Sequence, residues 1–351
     1  LLDLEQIANG VYSPLEGFML KDELESVLNK SELPNGVIWT IPILLDVNSS
    51  DSKKINDGDK VTLLNSKEEV VGWIDVEEKY KYDKLKLSEK FYGLKDQDHP
   101  GVNIINSLND YFLGGKITLI KRRNSLYKNI ELTPKQTRRL FEEKNWTKVV
   151  GFHTRNVIHK AHEFIQKSAL KRGQCDGIFL HPVIGKKKKG DYNSEFILKS
   201  YEIMKKKFYP ENKTVLGAFS TYSRYGGIKE AIFTAICRKN YGCSHFIIGR
   251  DHTGVGKNLP SKSDSSLTNL INKLGIKIIK FETVFFSKKN RKYEEENQSQ
   301  IFDENDKLFI SGTEARNLFK NFNSPPEWFM RPEISKMIIH ELKAGKEVFI
   351  K

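Results

Sequence analysis

Two histidines three residues apart, His159 and His162, stand in the segment TRNVIHKAHE, directly after the apolar run KVVGF. The apolar run is typical of a buried strand, and the residues after it have the pattern of a helix. Positions i and i+3 share one face of a helix, and a helix N-terminus offers free N–H groups and a partial positive charge to phosphate. Two imidazole donors there can hold phosphate oxygens while a leaving group gains charge. The segment therefore predicts a phosphate-binding site that takes part in catalysis.

Two simpler interpretations of the histidine pair stay open at this point. His162 could be a half-buried structural histidine and His159 a surface residue. A zinc site is the other alternative, but the spacing gives no closed set of ligands, so no protein-bound metal site is predicted.

A second segment, GRDHTG at residues 249–254, follows the apolar run HFII. Gly249 permits close approach of the backbone to a ligand. Arg250 and His252 add cationic and donor groups, and Asp251 can orient a ribose hydroxyl or a basic neighbour. At the end of a strand, this pattern indicates a nucleotide-binding loop.

Both segments need a scaffold that brings strand ends together, and the sequence from Thr133 onwards predicts one. Apolar strands alternate with helical stretches, which is typical of a parallel α/β sheet. The predicted strands lie in KVVGF, GIFLHPVIG, TVLGAF, HFIIGRD and GIKIIKF. Ligands of such sheets bind beyond the carboxyl ends of the strands, where the loops HTRN, KKKKGD, TYSRYGG and RDHTG collect basic residues. We therefore predict a catalytic domain over residues 131–310.

The helix that carries the histidines is predicted over IHKAHEFIQKSALKRG. Its apolar spacing predicts an inward stripe. The stripe consists of Ile158, Ala161, Ile165, Ser168 and Ala169.

Two smaller domains are predicted on either side of the catalytic domain. Residues 1–130 contain the β-branched and aromatic run GVIWTIPILLDV (36–47) and later short strands separated by turns, which favours a small barrel or sandwich. Residues 311–351 form a small C-terminal domain that opens on a capping box, Ser311 with Glu314.

Composition limits the class of protein without choosing the function. The 351 residues carry a formal net charge of +13, three cysteines and no apolar run of membrane-spanning length. The N-terminus lacks the pattern of a signal peptide, so we expect a cytoplasmic protein. The charge is compatible with an enzyme of small polyanions or, as a rival, with a nucleic-acid-binding protein. The rival is disfavoured because the informative basic residues stand at strand ends beside glycine.

Taken together, the two segments resemble ATP sulfurylase (sulfate adenylyltransferase), a family of nucleotidylyltransferases, and the resemblance covers nearly the whole chain. YSPLEGF, WTIPILLDV, HPGV and YFLGG resemble its N-terminal domain. FHTRNVIHKAHE, HPVIGKKKKGD, RKNYGCSHFIIGRDHTG and ISGTEAR resemble its catalytic domain, and PPEWFMRPE its C-terminal part. The resemblance implies an α/β multidomain protein with a barrel-like, PUA-like N-terminal domain, a Rossmann-like catalytic domain and a small C-terminal domain. It also implies a single-function form without an APS kinase domain.

The resemblance assigns roles to individual residues. The catalytic residues it implies are Thr154, Arg155, Asn156, His159 and His162. The nucleotide would contact His153, Asn156, His159, His162, Gly249, Arg250, Asp251, His252, Phe281 and Val284. Sulfate would contact His153, Arg155, Thr253 and Arg224. Within the lysine run 186–189, Lys188 falls on a family position that is usually Lys.

This chain departs from the usual family pattern at several positions. His153 stands where many members have Gln, Val157 where they have Pro, and Ile228 and Lys229 replace Pro and Arg. Because the free pKa of His lies near neutrality, we expect His153 to change its charge, and the sulfate KM to rise, between about pH 6 and 8.

The reaction implied is attack of a sulfate oxygen on the α-phosphorus of ATP, which gives adenosine 5′-phosphosulfate (APS) and pyrophosphate and is reversible. Mg²⁺ is expected to arrive with ATP. The resemblance further implies a homodimer, with no nucleic-acid or membrane partner. A nucleotidylyltransferase of the same fold with a different acceptor stays open as the nearer alternative, and the sequence does not decide the direction of net flux.

Overall fold

The computed structural model describes residues 1–93, 98–249, 265–296 and 303–351. Its helices are α1 (Leu2–Ala8), α2 (Lys21–Lys30), α3 (Ser49–Ser52), α4 (Lys84–Tyr92), α5 (Pro100–Asn106), α6 (Pro134–Glu143), α7 (Lys160–Arg172), α8 (Ser194–Lys207), α9 (Ile228–Asn240), α10 (Ser265–Lys273), α11 (Gly312–Lys320) and α12 (Pro332–Lys343). Its strands are β1 (Gly17–Phe18), β2 (Asp46–Val47), β3 (Lys60–Leu64), β4 (Val70–Lys81), β5 (Tyr111–Leu119), β6 (Val149–Thr154), β7 (Gly177–Pro182), β8 (Thr214–Leu216), β9 (His245–Ile248), β10 (Lys277–Lys280), β11 (Val284–Ser287), β12 (Lys292–Glu295) and β13 (Lys307–Leu308). None of the helices in these ranges is long and apolar enough to cross a bilayer.

The N-terminal region is built on an antiparallel sheet of β1 to β5, in which β5 pairs with β1, β2 and β4. Helices α4 and α5 interrupt the part of the chain that the sequence analysis took as β-rich. The run 36–47 is also less regular than predicted, since only its last two residues form a strand. Its side chains Trp39, Ile41 and Ile43 are instead fully buried, so the apolar run anchors the core as extended chain.

The catalytic region contains the predicted parallel sheet, with the strand order β10-β9-β6-β7-β8. All five strands lie at the runs that the sequence singled out, except that β6 continues two residues past KVVGF to Thr154, and α7, α8, α9 and α10 lie between them in the chain. The order reverses between β6 and β9, because the chain leaves β6 towards β7 and later returns to β6's other side. The carboxyl ends of β6 and β9 therefore flank a topological switch point, where ligands of open α/β sheets bind.

The helix starts agree with those predicted from the sequence, whereas the buried face of α7 differs from the predicted one. Thr133 caps α6 ahead of Pro134, and Ser311 caps α11 in a capping box. In α7 the fully buried positions are Glu163, Gln166 and Ala169. Of the predicted stripe, Ala169 is buried in the helix and Ile158 directly ahead of it. Glu163 and Gln166 are buried with polar partners, which a search for apolar spacing does not detect.

The C-terminal helices α11 and α12 pack on the catalytic region. Phe319 and Ile338 are fully buried in the same core cluster as Phe152 of β6. The end of the chain also joins this region, since the amide of Ile350 donates to the carbonyl of Asp191. The small sheet β12-β11-β13 lies between the two parts in sequence. All three cysteines are buried free thiols.

A buried polar network joins the first helix to the loop after β8. The guanidinium of Arg224 donates to the Asp3 carboxylate at 2.6 Å and to the Tyr12 hydroxyl at 3.2 Å. The hydroxyls of Tyr12 and Tyr222 each donate to Asp3 at 3.0 Å. The side chains of Arg224 and Asp3 are only 7% and 14% exposed. This ion pair therefore ties the N-terminal region to a loop at the ligand edge of the parallel sheet.

We predict that Asp3→Asn destabilises the protein by about 3 kcal/mol, because it leaves the buried Arg224 charge without its ion-pair partner. The matched control is Glu143→Gln, which removes the exposed pair with Arg139 and should change stability by less than about 1 kcal/mol. The shift of the urea-unfolding midpoint measures both. Equal shifts in the two variants would contradict a stabilising role for the buried pair.

Candidate active site

The site is built where β6 and β9 end side by side. β6 finishes at Thr154 and β9 at Ile248, and Gly249 follows β9 with open space where a side chain would stand. Arg250, Asp251, His252 and Thr253 come next and lie outside the described residues. The predicted nucleotide loop thus begins at the switch point, beside the segment that carries the histidines.

The two histidines form the centre of an aromatic column at the start of α7. His159 is the N-cap residue, and its ring stacks on His162 at 3.8 Å between centroids. Phe329 stacks on the other face of His159 at 5.0 Å, and Phe152 meets His162 edge-on at 5.4 Å. The column therefore runs from the C-terminal segment, through both imidazoles, to the central strand of the sheet.

This packing keeps both imidazoles neutral. Burial lowers the pKa of His159 to about 4, and burial together with the neighbouring His159 lowers the pKa of His162 well below its usual value. The Nδ1 atom of each ring is buried with no hydrogen-bond partner. Protonation of both nitrogens would place an N–H donor in that apolar wall without an acceptor. Nε2 is thus the nitrogen from which each neutral ring can donate to a ligand.

The C-terminal segment also fixes the beginning of α7 through polar contacts. The carbonyl of Phe329 accepts the Lys160 amide at 2.8 Å. The Arg331 guanidinium binds both oxygens of Glu163, at 2.8 Å each. Because α7 has no side-chain cap, these contacts take the place of one. The positions of the histidines therefore depend on residues about 170 positions away in sequence.

The loop between β6 and α7 holds the predicted catalytic triplet. The Thr154 hydroxyl is buried and accepts the amide of Asn156 at 3.1 Å. Arg155 is half-buried, with its guanidinium carbon 5.9 Å from the centre of the Tyr225 ring. Since Tyr225 belongs to the loop after β8, Arg155 lies between two of the predicted ligand loops.

His153 faces the other side of β6 and contacts a residue that the sequence analysis did not select. Nδ1 of His153 lies 2.8 Å from Nη2 of Arg238 on α9. A guanidinium only donates, so Nδ1 accepts and the proton of the neutral ring is on Nε2. A second proton on the ring would displace this hydrogen bond and set two cations against each other, so the geometry favours a neutral His153 over the change of charge expected from the sequence.

Arg224 does not have the surroundings predicted for it. Its guanidinium is buried and already bound by Asp3, Tyr12 and Thr221. These contacts are those of a structural ion pair between two regions, so the predicted contact of Arg224 with sulfate is not supported by its position.

Phe281 and Val284 lie next to the end of β9, as the nucleotide assignment requires. The amide of Phe281 donates to the carbonyl of Ile248 at 3.0 Å. The Phe281 ring itself is buried under the Arg172 guanidinium at 4.4 Å, so only the backbone of this residue is suited to contact a nucleotide. Val284 is half-buried at the start of β11.

Within the lysine run after β7, one side chain differs from its neighbours. Lys187 is half-buried and donates to the carbonyl of Val183 at 2.8 Å, while Lys186, Lys188 and Lys189 are exposed. Burial lowers the pKa of Lys187 to about 8, with the charge of Arg155 adding to the effect. The sequence analysis singled out Lys188, but the structure brings Lys187 towards the site.

Comparison with known proteins identifies the family of the chain. The model of the ATP-sulfurylase family matches residues 128–341, and that of a PUA-like domain matches residues 1–122. The chain belongs to the ATP-sulfurylase family. ATP sulfurylases are nucleotidyltransferases, so the enzyme class and the fold class expected from the sequence are confirmed.

This chain matches individual relatives over most of their length. A sulfate adenylyltransferase of Pyrococcus abyssi is 41% identical over 337 residues, 96% of this chain and 87% of the relative. That of Halothermothrix orenii is 38% identical over 347 residues, 98% and 90% of the two chains. Among solved structures, a hexameric APS kinase from Thiobacillus denitrificans has a TM-score of 0.75 at 19% identity, which shows a shared fold; this chain spans 97% of its own length and 61% of that one.

Three contributors to this ATP-sulfurylase site escaped the sequence analysis: Arg238, Phe329 and Arg331. Each contacts a residue far away in sequence: Arg238 contacts His153, Phe329 contacts His159, and Arg331 contacts Glu163. The motifs RKNYG and PPEWFMRPE contain all three, so the signal was present as a resemblance, but no local spacing connects them with the histidines.

We predict that Phe329→Leu lowers kcat by about tenfold or more, because the His159 ring loses its stacking partner and a small misplacement of a catalytic group is costly. Affinity for ATP, measured by titration calorimetry, should change much less. Phe322→Leu is the matched control, since Phe322 is 51% exposed on the same C-terminal segment. Equal kcat values for Phe329→Leu and wild type would refute the proposed support of the histidine.

We further predict that Lys187→Met weakens substrate binding, with a rise of several-fold in the KM of ATP or sulfate, whereas Lys188→Met stays near wild type. Lys187 is half-buried, and its ammonium interacts electrostatically with Arg155, while substitutions of exposed residues are usually tolerated. Initial-rate kinetics with each substrate varied in turn provides the measurement. A larger loss for Lys188→Met would restore the sequence-based assignment.

Proposed function

We propose that the switch-point edge binds ATP and sulfate together and catalyses attack of a sulfate oxygen on the α-phosphorus. The observation that carries the proposal is the pair of neutral, stacked imidazoles at the N-terminus of α7. Such donors match a phosphate chain that gains negative charge as pyrophosphate departs. Membership of the ATP-sulfurylase family supports the same reaction.

Arg155 and His153 are proposed to hold sulfate, and Asn156 the phosphates of the nucleotide. Sulfate is already unprotonated at neutral pH, so the reaction needs positioning and charge screening rather than a general base. Guanidinium groups suit this task because they hold tetrahedral oxyanions through several fixed donors. Arg250, Asp251, His252 and the backbone of Thr253 are proposed to complete the nucleotide and sulfate contacts, as the family resemblance implies.

His159 and His162 are proposed to donate from Nε2 to phosphate oxygens. Because both rings are neutral, they add no permanent charge that would bind substrate and product with equal strength. Their hydrogen bonds strengthen as charge develops on the phosphates, and the surrounding apolar wall increases that effect. This differential binding raises kcat more than it raises affinity for ATP.

Mg²⁺ is proposed to enter with ATP as part of the substrate. In the part of the chain that the structure describes, no group of three His, Cys, Asp or Glu side chains is placed to hold a metal ion. The groups at the edge are arginine, amide and neutral imidazole, which suit anion oxygens, whereas Mg²⁺ takes oxygen ligands. Bound to the β- and γ-phosphates, the ion would neutralise charge on the departing pyrophosphate.

The homodimer and the cytoplasmic location stay predictions, as does the direction of flux. The alternative of a basic nucleic-acid-binding protein is not favoured by the family match. A different acceptor in place of sulfate is likewise not favoured by the relatives, which are sulfate adenylyltransferases.

The test of the proposed function is pyrophosphate release from ATP and Mg²⁺ with sulfate, selenate, molybdate or no acceptor. We expect release to depend on one of these tetrahedral oxyanions and the product with sulfate to be APS. Pyrophosphate release that is the same with and without all three oxyanions would contradict the proposal.

We predict that His159→Ala and His162→Ala each lower kcat by about 10²-fold, as removal of one donor to a developing charge does elsewhere. The dissociation constant of ATP should change by less than about tenfold, because the donors matter most in the transition state. His340→Ala is the control, since His340 is exposed on α12. Losses that fall on ATP affinity rather than on kcat would instead assign the histidines to ground-state binding.

A further inference from the structure

Arg238 is a buried cation on α9. Its side chain is completely buried, and among the described residues none of the strongest charges acting on it is a carboxylate. One nitrogen, Nη2, donates to Nδ1 of His153 at 2.8 Å and to the carbonyl of His181 at 3.1 Å. The other two, Nε and Nη1, are buried with no hydrogen-bond partner.

Such an arrangement is costly, because a buried charge without a counter-charge loses its hydration. Aromatic faces offset part of the cost, with the guanidinium carbon 4.5 Å from the Phe219 ring and 5.8 Å from that of Phe246. The aliphatic stem lies against Gly151, where even a Cβ would come within 2.8 Å of it. The glycine at position 151 therefore leaves room for the Arg238 side chain. His153 is two residues further along β6 and lies on the same face of the strand as Gly151.

We propose that Arg238 is a positioning residue for the acceptor subsite, which fixes His153 as a neutral donor through Nε2 and supplies a permanent positive charge behind it. The inference rests on the proposed contact of His153 with sulfate. It explains how the site uses a histidine there without making sulfate binding depend on pH. The anion bound at the edge would then be the counter-charge that Arg238 lacks among the described residues.

Several groups surround His153 and bear on its charge. Arg238 contacts it from α9, and His181 lies opposite it on the neighbouring strand β7. His181 is fully buried, and burial followed by the charge of Arg238 lowers its pKa well below the usual value, so it stays neutral. Arg155, two residues further along the chain, adds a second positive charge at the same edge. With Arg238 removed, Nδ1 of His153 loses its donor and becomes able to take a proton near neutrality.

The test is the sulfate KM between pH 6 and 8 for wild type, R238M, H153Q and the double variant R238M/H153Q. We expect wild type and H153Q to show the same shallow profile. R238M should raise the sulfate KM by about tenfold at pH 8, while its kcat changes by less than threefold. Towards pH 6 its KM should fall, because an imidazolium binds sulfate more tightly, and this fall should disappear in the double variant.

A purely structural Arg238 would give R238M a pH profile parallel to that of wild type, and that result would overturn the inference. Absence of sulfate-dependent pyrophosphate release in wild type would instead overturn the proposed function, so the two failures are distinct.

A second measurement covers the outcome in which R238M does not fold. Long-range ¹⁵N–¹H spectra of histidine-labelled wild type, with the His153 signals assigned by their loss in H153Q, report the protonation of each ring nitrogen. We expect the neutral Nε2–H form from pH 6 to 8. An imidazolium at pH 6, or a proton on Nδ1, would overturn the role assigned to Arg238.

Discussion

The arrangement of this molecule depends on holding two imidazoles in an aromatic wall at the start of a helix that has no side-chain cap. His159 and His162 stack on each other between Phe329 and Phe152. Desolvation makes their protonated forms unfavourable, as the lowered pKa values of both rings show. A site of this kind needs walls from several parts of the chain, and the central strand, α7 and the C-terminal segment each supply one.

The site also requires a sulfate site and a phosphate site at one edge, and the parallel sheet brings them together. Side chains alternate along β6, so Phe152 faces the histidine column while His153 faces Arg238 on α9. The two sets of groups meet where the strand ends at the switch point. On the α9 side, the N-terminal region holds the loop after β8 through the pair of Asp3 and Arg224. The N-terminal region thus supports a loop at the ligand edge of the sheet.

Much of this organisation could be predicted from the sequence because it follows from local rules. The caps at Thr133 and Ser311, the five apolar strands and the loops at their carboxyl ends all have short-range signals. The departures have a common physical origin in pairing across long sequence distances. Glu163 and Gln166 are buried because Arg331 and Tyr209 bind them. No short-range sequence pattern around Glu163 and Gln166 predicts these partners.

The same reason explains which site residues could not be predicted. Arg224 carries a charge that suits sulfate, but Asp3, 221 positions away, already binds it. Lys187 and Lys188 are identical in type, and only the turn of the chain after β7 decides which of them is buried. A sequence read alone therefore identifies the edge and the reaction, whereas the partners that set charge and orientation come from the folded chain.

The central claim is that the histidines act as donors while sulfate attacks the α-phosphorus directly. The most direct test is the stereochemical course at that phosphorus, followed with ATP made chiral at the α-position. One direct displacement inverts the configuration, and this account predicts inversion. Attack by His159 or His162 to form an adenylyl-enzyme would be followed by a second displacement. Overall retention of configuration would therefore contradict the account.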